Sequence, residues 1–343
     1  MIGVGVIGYG YWGPNVLRNL YEHEQVRVAA VCDSRQDRLE KVHRRYPGVP
    51  TTTSFDEVLA NPAVDAIFVC TPVHTHFPLA MKALQSGRHV LVEKPLASSV
   101  EQAARLVDEA RRRNLHLMVD HTFVFTPAVR KIRELMESGA VGRQVYYYDS
   151  VRVNLGLFQR DVNVLWDLAV HDLSIMDYVL PGNALAVSAT GASHLPDRPE
   201  NLAYLTCFLP QNLIAHIHVN WLAPVKLRQT LIGGDQKMII YNDLEPSEKI
   251  RVYDKGVTLT PNGNGSEASL VDYRSGDMWA PKLPLTEALQ TEVDEFVQAL
   301  SNGRPFPADG EAGLRVVQIL EAASYSMKNR GLPVELNPVG AGV

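Results

Sequence analysis

The sequence has few cysteines, no strong excess of either charge and no long apolar run. Cysteine occurs only at Cys32, Cys70 and Cys207 in 343 residues. An odd number so widely spaced excludes a disulfide framework and a Cys-x-x-Cys metal site, and points to a reducing cytoplasmic setting. Isolated cysteines near strand ends are more often small core hydrophobes than nucleophiles. Lys+Arg 33 against Asp+Glu 38 leaves a formal net charge of −5, which argues against electrostatic binding of nucleic acid. No apolar stretch approaches the ~20 residues of a membrane-spanning helix. The N-terminus shows no basic region followed by a cleavage site, so no secretory signal is expected. With 46% hydrophobic and 21% charged residues the chain reads as folded and globular. Its length, at roughly 150 residues per domain, suggests two domains.

Apolar patterning divides the chain. Residues 4–7, 28–32, 66–70, 89–92 and 115–119 are continuous apolar strands separated by helical segments. That alternation predicts a parallel sheet covered on both faces. After an amphipathic helix at 127–137, the strands at 144–153, 186–192, 203–208, 213–221, 227–233 and 237–241 follow with few helices between them, and predict a largely antiparallel sheet. Helices are expected at 287–300 and 313–328, and residues 254–285, rich in Gly, Asn and Ser, as a long loop. The fold class is α/β, with domains at 1–122 and 123–343.

Gly8, Gly10 and Gly13 form a G-x-G-x-x-G between a strand and a helix. Gly8 allows the tight turn, Gly10 lets backbone approach a pyrophosphate, and Gly13 lets helix and strand pack closely. The helix N-terminus offers free N–H groups and partial positive charge to phosphates. Asp33, 20 residues after Gly13, ends the second strand where an acid grips the adenosine ribose. A carboxylate there favours NAD over NADP; Arg35 argues the other way, since an arginine can pair a 2′-phosphate. Tyr11 and Trp12 in the turn, and Ser34 and Arg35 after the acid, complete this group of expected cofactor contacts.

Three further motifs carry chemistry. Thr71-Pro72-Val73-His74-Thr75-His76 ends the third apolar strand near the switch point of the sheet, which puts Thr71, Pro72, His74 and His76 beside the dinucleotide. For His76 a capping or packing role is an equal alternative. Zinc would need a third ligand that the local sequence does not offer, so no metal is expected. Glu93-Lys94-Pro95 ends the next strand, and Pro95 holds Lys94 toward the catalytic edge; the Lys94–Pro95 bond is a candidate for cis. The ammonium can stabilise a substrate alkoxide and orient the nicotinamide, and Glu93 can pair with the surroundings of Lys94 or meet the nicotinamide ribose. In Trp166-Asp167-Leu168-Ala169-Val170-His171-Asp172, Asp167 and His171 are i, i+4 on one helix face. A carboxylate beside an imidazole fixes its tautomer, and histidine is suited to general base work.

The four motifs in this order resemble the Gfo/Idh/MocA family of NAD(P)-dependent oxidoreductases (the glucose–fructose oxidoreductase and inositol dehydrogenase family). The resemblance implies an N-terminal Rossmann domain with a doubly wound parallel sheet. It also implies a C-terminal α+β domain whose large open, mostly antiparallel sheet makes a homodimer or homotetramer. The implied chemistry is reversible hydride transfer between NAD(P) and a carbohydrate or cyclitol hydroxyl, with Lys94, Asp167 and His171 as the catalytic set. Ala169 stands where the family commonly has Gly. His121-Thr122-Phe123-Val124-Phe125 replaces an Asn-Arg-Arg-Phe-like segment, and His121 and Phe125 are candidate pocket residues. Residues 152–167 are similar to a subgroup that oxidises the 3-hydroxyl of nucleotide sugars such as UDP-N-acetylglucosamine. Lys94, His121, Phe125, Asn154, Arg160, Asp167 and His171 are then the expected substrate contacts. Lys226 and Arg228 would meet a diphosphate, or else lie on a solvated strand face. The alternatives are a free cyclitol or monosaccharide dehydrogenase, and a non-catalytic NAD-binding sensor or partner protein. Three aligned catalytic groups argue against the sensor.

Overall fold

The computed structural model describes residues 1–156, 158–159, 162–261 and 269–336. In chain order the elements begin β1 (Ile2–Ile7), α1 (Gly13–Glu22), β2 (Val26–Cys32), α2 (Gln36–Arg45), β3 (Thr51–Thr52), α3 (Phe55–Ala60), β4 (Ala66–Val69), α4 (His76–Gln85), β5 (His89–Glu93), α5 (Val100–Arg113) and β6 (Leu117–Asp120). They continue α6 (Pro127–Glu137), β7 (Val145–Leu155), α7 (Val170–Val179), β8 (Ala186–Ala192), β9 (Leu202–Phe208), β10 (Ile214–Asn220), β11 (Leu222–Gly234), β12 (Met238–Asn242), β13 (Ile250–Pro261), β14 (Ser269–Trp279), α8 (Ala288–Asn302), α9 (Gly310–Lys328) and β15 (Val334–Glu335). Two compact units result, Met1–Thr126 with Thr286–Glu321, and Pro127–Leu285 with Ala322–Val343.

The first unit is a six-stranded sheet in the order β3-β2-β1-β4-β5-β6, and every described pairing is parallel. β4 is buried at every residue, which is why it reads as an unbroken apolar run. The order reverses between β1 and β4, so ligand-binding loops are expected at their carboxyl ends. α5 starts as its sequence suggests, with the Ser99 hydroxyl accepting from Gln102 N, and ends at Asn114 in the left-handed region. The short α3 was not anticipated. Its signal was the capping pair Ser54-x-x-Glu57, and Ser54 accepts from Glu57 N.

The expected boundary at residue 122, with everything beyond it in the second domain, needs correction. Residues 286–321 return to the first unit. Phe296 meets Phe68 edge-on with centroids 4.8 Å apart, Arg18 pairs with Glu287 at 2.6 Å, and Val119 N donates to Ala308 O at 2.8 Å. A helix far along the chain that covers an early sheet leaves no local trace in sequence.

The second unit is a nine-stranded sheet ordered β14-β13-β12-β11-β7-β10-β9-β8-β15. Its neighbours are antiparallel except for the parallel pair β7 and β10. Alternation sorts its two faces. Tyr148, Ala203, Leu205, Ala215 and Ile217 are buried, whereas Tyr204, Phe208, Ile214 and Leu227 are exposed. Of residues 254–285, expected as a long loop, 254–261 and 269–279 are strand, and 262–268 lie outside the described residues. β13 and β14 pair from Val252↔Trp279 to Pro261↔Ser269. Residues 273–279 are largely exposed, so no apolar alternation marks the strand; its backbone pairing does. The three cysteines are free and buried, as small core residues. Among the described residues, no helix is long and apolar enough to cross a membrane.

Candidate active site

The glycine turn sits at the carboxyl end of β1. Gly8 has φ +97°, donates its N–H to Cys32 O at 2.7 Å, and a Cβ there would lie 2.5 Å from Cys70 O. A Cβ on Gly13 would lie 2.2 Å from Gly8 O. Gly10 differs, because a Cβ there meets nothing closer than Arg38 at 3.7 Å. Its lack of a side chain therefore answers to something outside the protein's own packing. Pro14 at the start of α1 leaves the helix N-terminus pre-shaped.

Asp33 is 5% exposed and held from three sides. Oδ2 accepts from Tyr9 N at 2.7 Å and from Arg38 at 3.1 Å, and Oδ1 accepts from Arg35 N at 2.9 Å. The carboxylate is thus fixed against the glycine turn. The Arg35 side chain turns away onto Asp37, at 2.7 and 3.0 Å. Arg38, which sequence reasoning passed over, is the arginine that touches the acid. Tyr11 and Ser34 are exposed, and Trp12 is half-buried. A turn cleared of Cβ atoms, a helix N-terminus and an oriented acid at the second strand's end fit the pyrophosphate and ribose of NAD.

The next two loops lie at the ends of β4 and β5. Lys94 is half-buried, and its peptide bond to Pro95 is cis. His74 is exposed. His76 is 1% exposed, with Nδ1 2.8 Å from Pro95 O and Nε2 2.7 Å from Thr71 O. Both ring nitrogens are therefore engaged by backbone, so the packing alternative holds for His76 and it is no cofactor contact. It ties the loop carrying Thr71 to the loop carrying Lys94. Thr75 precedes α4 without a side-chain cap; its hydroxyl donates to Pro72 O instead. Phe125, expected in a pocket wall, is wholly buried against Phe306 at 5.1 Å and belongs to the core. His121 is 1% exposed at the end of β6, and burial pushes its pKa down to about 3. It is a neutral imidazole near neutral pH.

In the second unit the Asp167 segment is a π-helical turn, Leu165–Ala169, that runs directly into α7. Such turns recur at functional sites. Asp167 and His171 are both half-buried. Trp221 Nε1 donates to Asp167 Oδ2 at 3.0 Å, so the acid is held from β10's end. Asp172, next to His171, is 2% exposed and takes Arg152 at 2.7 and 3.2 Å and the Ser150 hydroxyl at 2.7 Å. The Tyr148 hydroxyl donates to Asp172 O at 3.1 Å. Three residues from alternate positions of β7 thereby lock α7 and set the rotation at which His171 is presented. Sequence reasoning missed Trp221, Arg152 and Asp172. An Arg and a Ser on the buried parity of a strand were the available signal. Asn154 is half-buried on β7, Arg160 lies outside the described residues, and Arg228 pairs with Asp243 at 3.0 Å while Lys226 is exposed. Among the described residues no group of His, Cys, Asp or Glu is arranged to hold a metal ion.

Turn, acid and strand order define the first unit as an NAD-binding Rossmann domain of an oxidoreductase. Residues 2–121 match the oxidoreductase family described by its NAD-binding Rossmann fold, and residues 129–240 match the Gfo/Idh/MocA C-terminal domain. The chain belongs to the Gfo/Idh/MocA family. It is 27% identical over 318 residues to UDP-N-acetylglucosamine 3-dehydrogenase of Acidithiobacillus ferrooxidans, covering 91% of this chain and 93% of that one. It is 21% identical to myo-inositol 2-dehydrogenase of Thermotoga maritima, over 95% and 96% of the two chains. Among solved structures, a protein of gentamicin A biosynthesis in complex with NAD superposes with TM-score 0.82 at 24% identity, over 98% of this chain and 97% of that one.

Proposed function

We propose that the protein is an NAD-dependent dehydrogenase of a sugar ring hydroxyl, with a UDP-N-acetylhexosamine as its substrate and the 3-hydroxyl as the reacting group. Bound NAD would supply the hydride acceptor at nicotinamide C4. The chain's own groups do the rest. Gly8, Gly10, Gly13 and Asp33 bind the cofactor. Lys94 hydrogen-bonds the substrate oxygen and stabilises the alkoxide. His171 takes its proton, and Asp167, itself held by Trp221, orients the imidazole. The observation that carries this reading is the local build of each group. Lys94 ends a strand of the first unit, and Asp167 and His171 share a π-turn and helix anchored from β7 and from Trp221. The nucleotide sugar is supported by the 27% identity to UDP-N-acetylglucosamine 3-dehydrogenase across nearly the whole of both chains. The match to myo-inositol 2-dehydrogenase is the observation behind a second reading, a free cyclitol as substrate.

A substrate panel decides between them. UDP-N-acetylglucosamine, UDP-N-acetylgalactosamine, free N-acetylglucosamine, glucose and the inositols are each mixed with NAD, and NADH formation is followed. The reading expects turnover with a UDP-sugar and little with its free sugar. Turnover of inositol alone contradicts it. The exposed Tyr204, Phe208, Ile214 and Leu227 on one sheet face support a second copy as the cover of that face, with two-fold symmetry. Light scattering should give a dimer or tetramer, and a monomer would contradict this.

A further inference from the structure

The first unit contains a buried carboxyl pair that this reaction does not use. Asp120, the last residue of β6, is 3% exposed, and Glu292 on α8 is 1% exposed; their side chains face each other within hydrogen-bonding reach. The donors go to Asp120. The Trp12 indole N–H donates to Oδ2, and the Thr122 hydroxyl donates to Oδ1 at 2.5 Å. Neither Glu292 oxygen receives a hydrogen bond from a donor among the described residues.

Two carboxylates buried face to face repel, and a buried carboxylate with no donor pays a full desolvation penalty. One shared proton removes both problems. Glu292 then donates an O–H, and Asp120 accepts it as an anion already held by Trp12 and Thr122. Burial first, then the facing Asp120, pushes Glu292 well above the usual carboxyl range. Burial also raises Asp120, while its bonds from Thr122, Trp12 and Glu292 and the charge of Lys94 pull it back. The other titratable groups facing the pair are Glu93, which acts further to keep the proton on Glu292, and the buried Cys70 thiol.

Trp12 stands inside the Gly8–Gly13 turn, immediately before α1. We infer that Asp120 and Glu292 form a one-proton positioning pair that anchors Trp12 and thereby holds the cofactor turn in its binding conformation. The inference rests on reading that turn as the NAD site and is independent of which sugar reacts. Its test is therefore direct NADH binding to the full chain, with no sugar present, joined to infrared spectroscopy of the carboxyl groups.

At neutral pH the wild-type protein should show the carbonyl stretch of a protonated carboxylic acid, and Glu292→Gln should abolish that band. Because the Gln amide still donates to Asp120, Glu292→Gln should keep NADH affinity within about threefold. Glu292→Leu, which cannot donate, should weaken it by roughly tenfold. Trp12→Phe and Asp120→Ala should each weaken it by roughly tenfold, and the double variant should be no worse than either, the signature of one coupled interaction. Absence of the acid band, unchanged NADH affinity in Trp12→Phe, or fully additive losses would each overturn the pair. If Asp120→Ala does not fold, the band and the contrast between Glu292→Gln and Glu292→Leu still decide.

Discussion

The two units hold their candidate site residues by different means. In the first, backbone does most of the work: glycines clear space at the end of β1, a helix N-terminus opens beside it, and one acid at the end of β2 is held mainly by main-chain N–H groups. In the second, side chains do it. His171 is presented by a helix pinned through Asp172 to Arg152, Ser150 and Tyr148, and Asp167 is held by Trp221, 54 residues away. A backbone site depends on a few closely spaced residues. A side-chain site depends on distant partners and is lost through stability as readily as through chemistry.

The largest effect expected from breaking this contrast lies at Gly10. A Cβ there has room within the protein, so Gly10→Val should leave the melting temperature nearly unchanged. NADH affinity should nevertheless fall by roughly 100-fold, because the added side chain blocks close approach of the pyrophosphate. Loss of folding with the loss of binding would show that Gly10 serves packing instead.

The second unit should respond the other way. Arg152→Ala leaves the buried Asp172 charge without its guanidinium, and breaking a buried pair from one side costs about 3–5 kcal/mol. Denaturant unfolding should show that loss. Replacing both partners, Arg152→Met with Asp172→Leu, should recover much of it. A double variant no better than the single would mean that Asp172 acts through more than its charge.

A smaller effect belongs to two histidines of the first unit, the half-buried His89 and the buried His121. Burial, followed by the neighbouring His116 ring, lowers His89 to about 4, and burial lowers His121 to about 3. In the unfolded chain histidine titrates at about 6.5, so between these values the unfolded state binds more protons. The stability from the neutral rings is present above that pH and is lost as pH falls toward 4. His89 Nδ1 accepts from His116 N at 3.0 Å, so His89→Asn keeps an acceptor without titrating there. It should flatten the fall of melting temperature across this window, and an unchanged slope would remove His89 from the cause.

The same contrast explains what could be read from the sequence. Gly8, Gly10, Gly13 and Asp33 were legible because their meaning lies in spacing along one strand, turn and strand. The two sheets were legible because burial on both faces or on one writes a different periodicity. His76 and Phe125 were misplaced because a motif position does not say which way a ring turns: His76 turns onto Pro95 O and Thr71 O, Phe125 onto Phe306. The pairing of β13 and β14 escaped because the exposed residues 273–279 lack apolar alternation. Residues 286–321 escaped because their partners, Arg18, Phe68 and Val119, lie far back in the chain. Arg152–Asp172 and Asp120–Glu292 escaped for that same reason, since each pair joins residues that only the fold brings together.

The division of labour itself is tested most directly by one paired measurement on Lys94→Ala and His171→Ala: NADH affinity without sugar, and turnover on the best substrate of the panel. Neither residue belongs to the phosphate turn. The account predicts NADH affinity within a few-fold of wild type in both, with turnover reduced by roughly 10²-fold or more, the scale for losing a positioned acid–base group. Turnover close to wild type in His171→Ala, with NADH affinity unchanged, would contradict its assignment as the base and leave Lys94 as the proton acceptor.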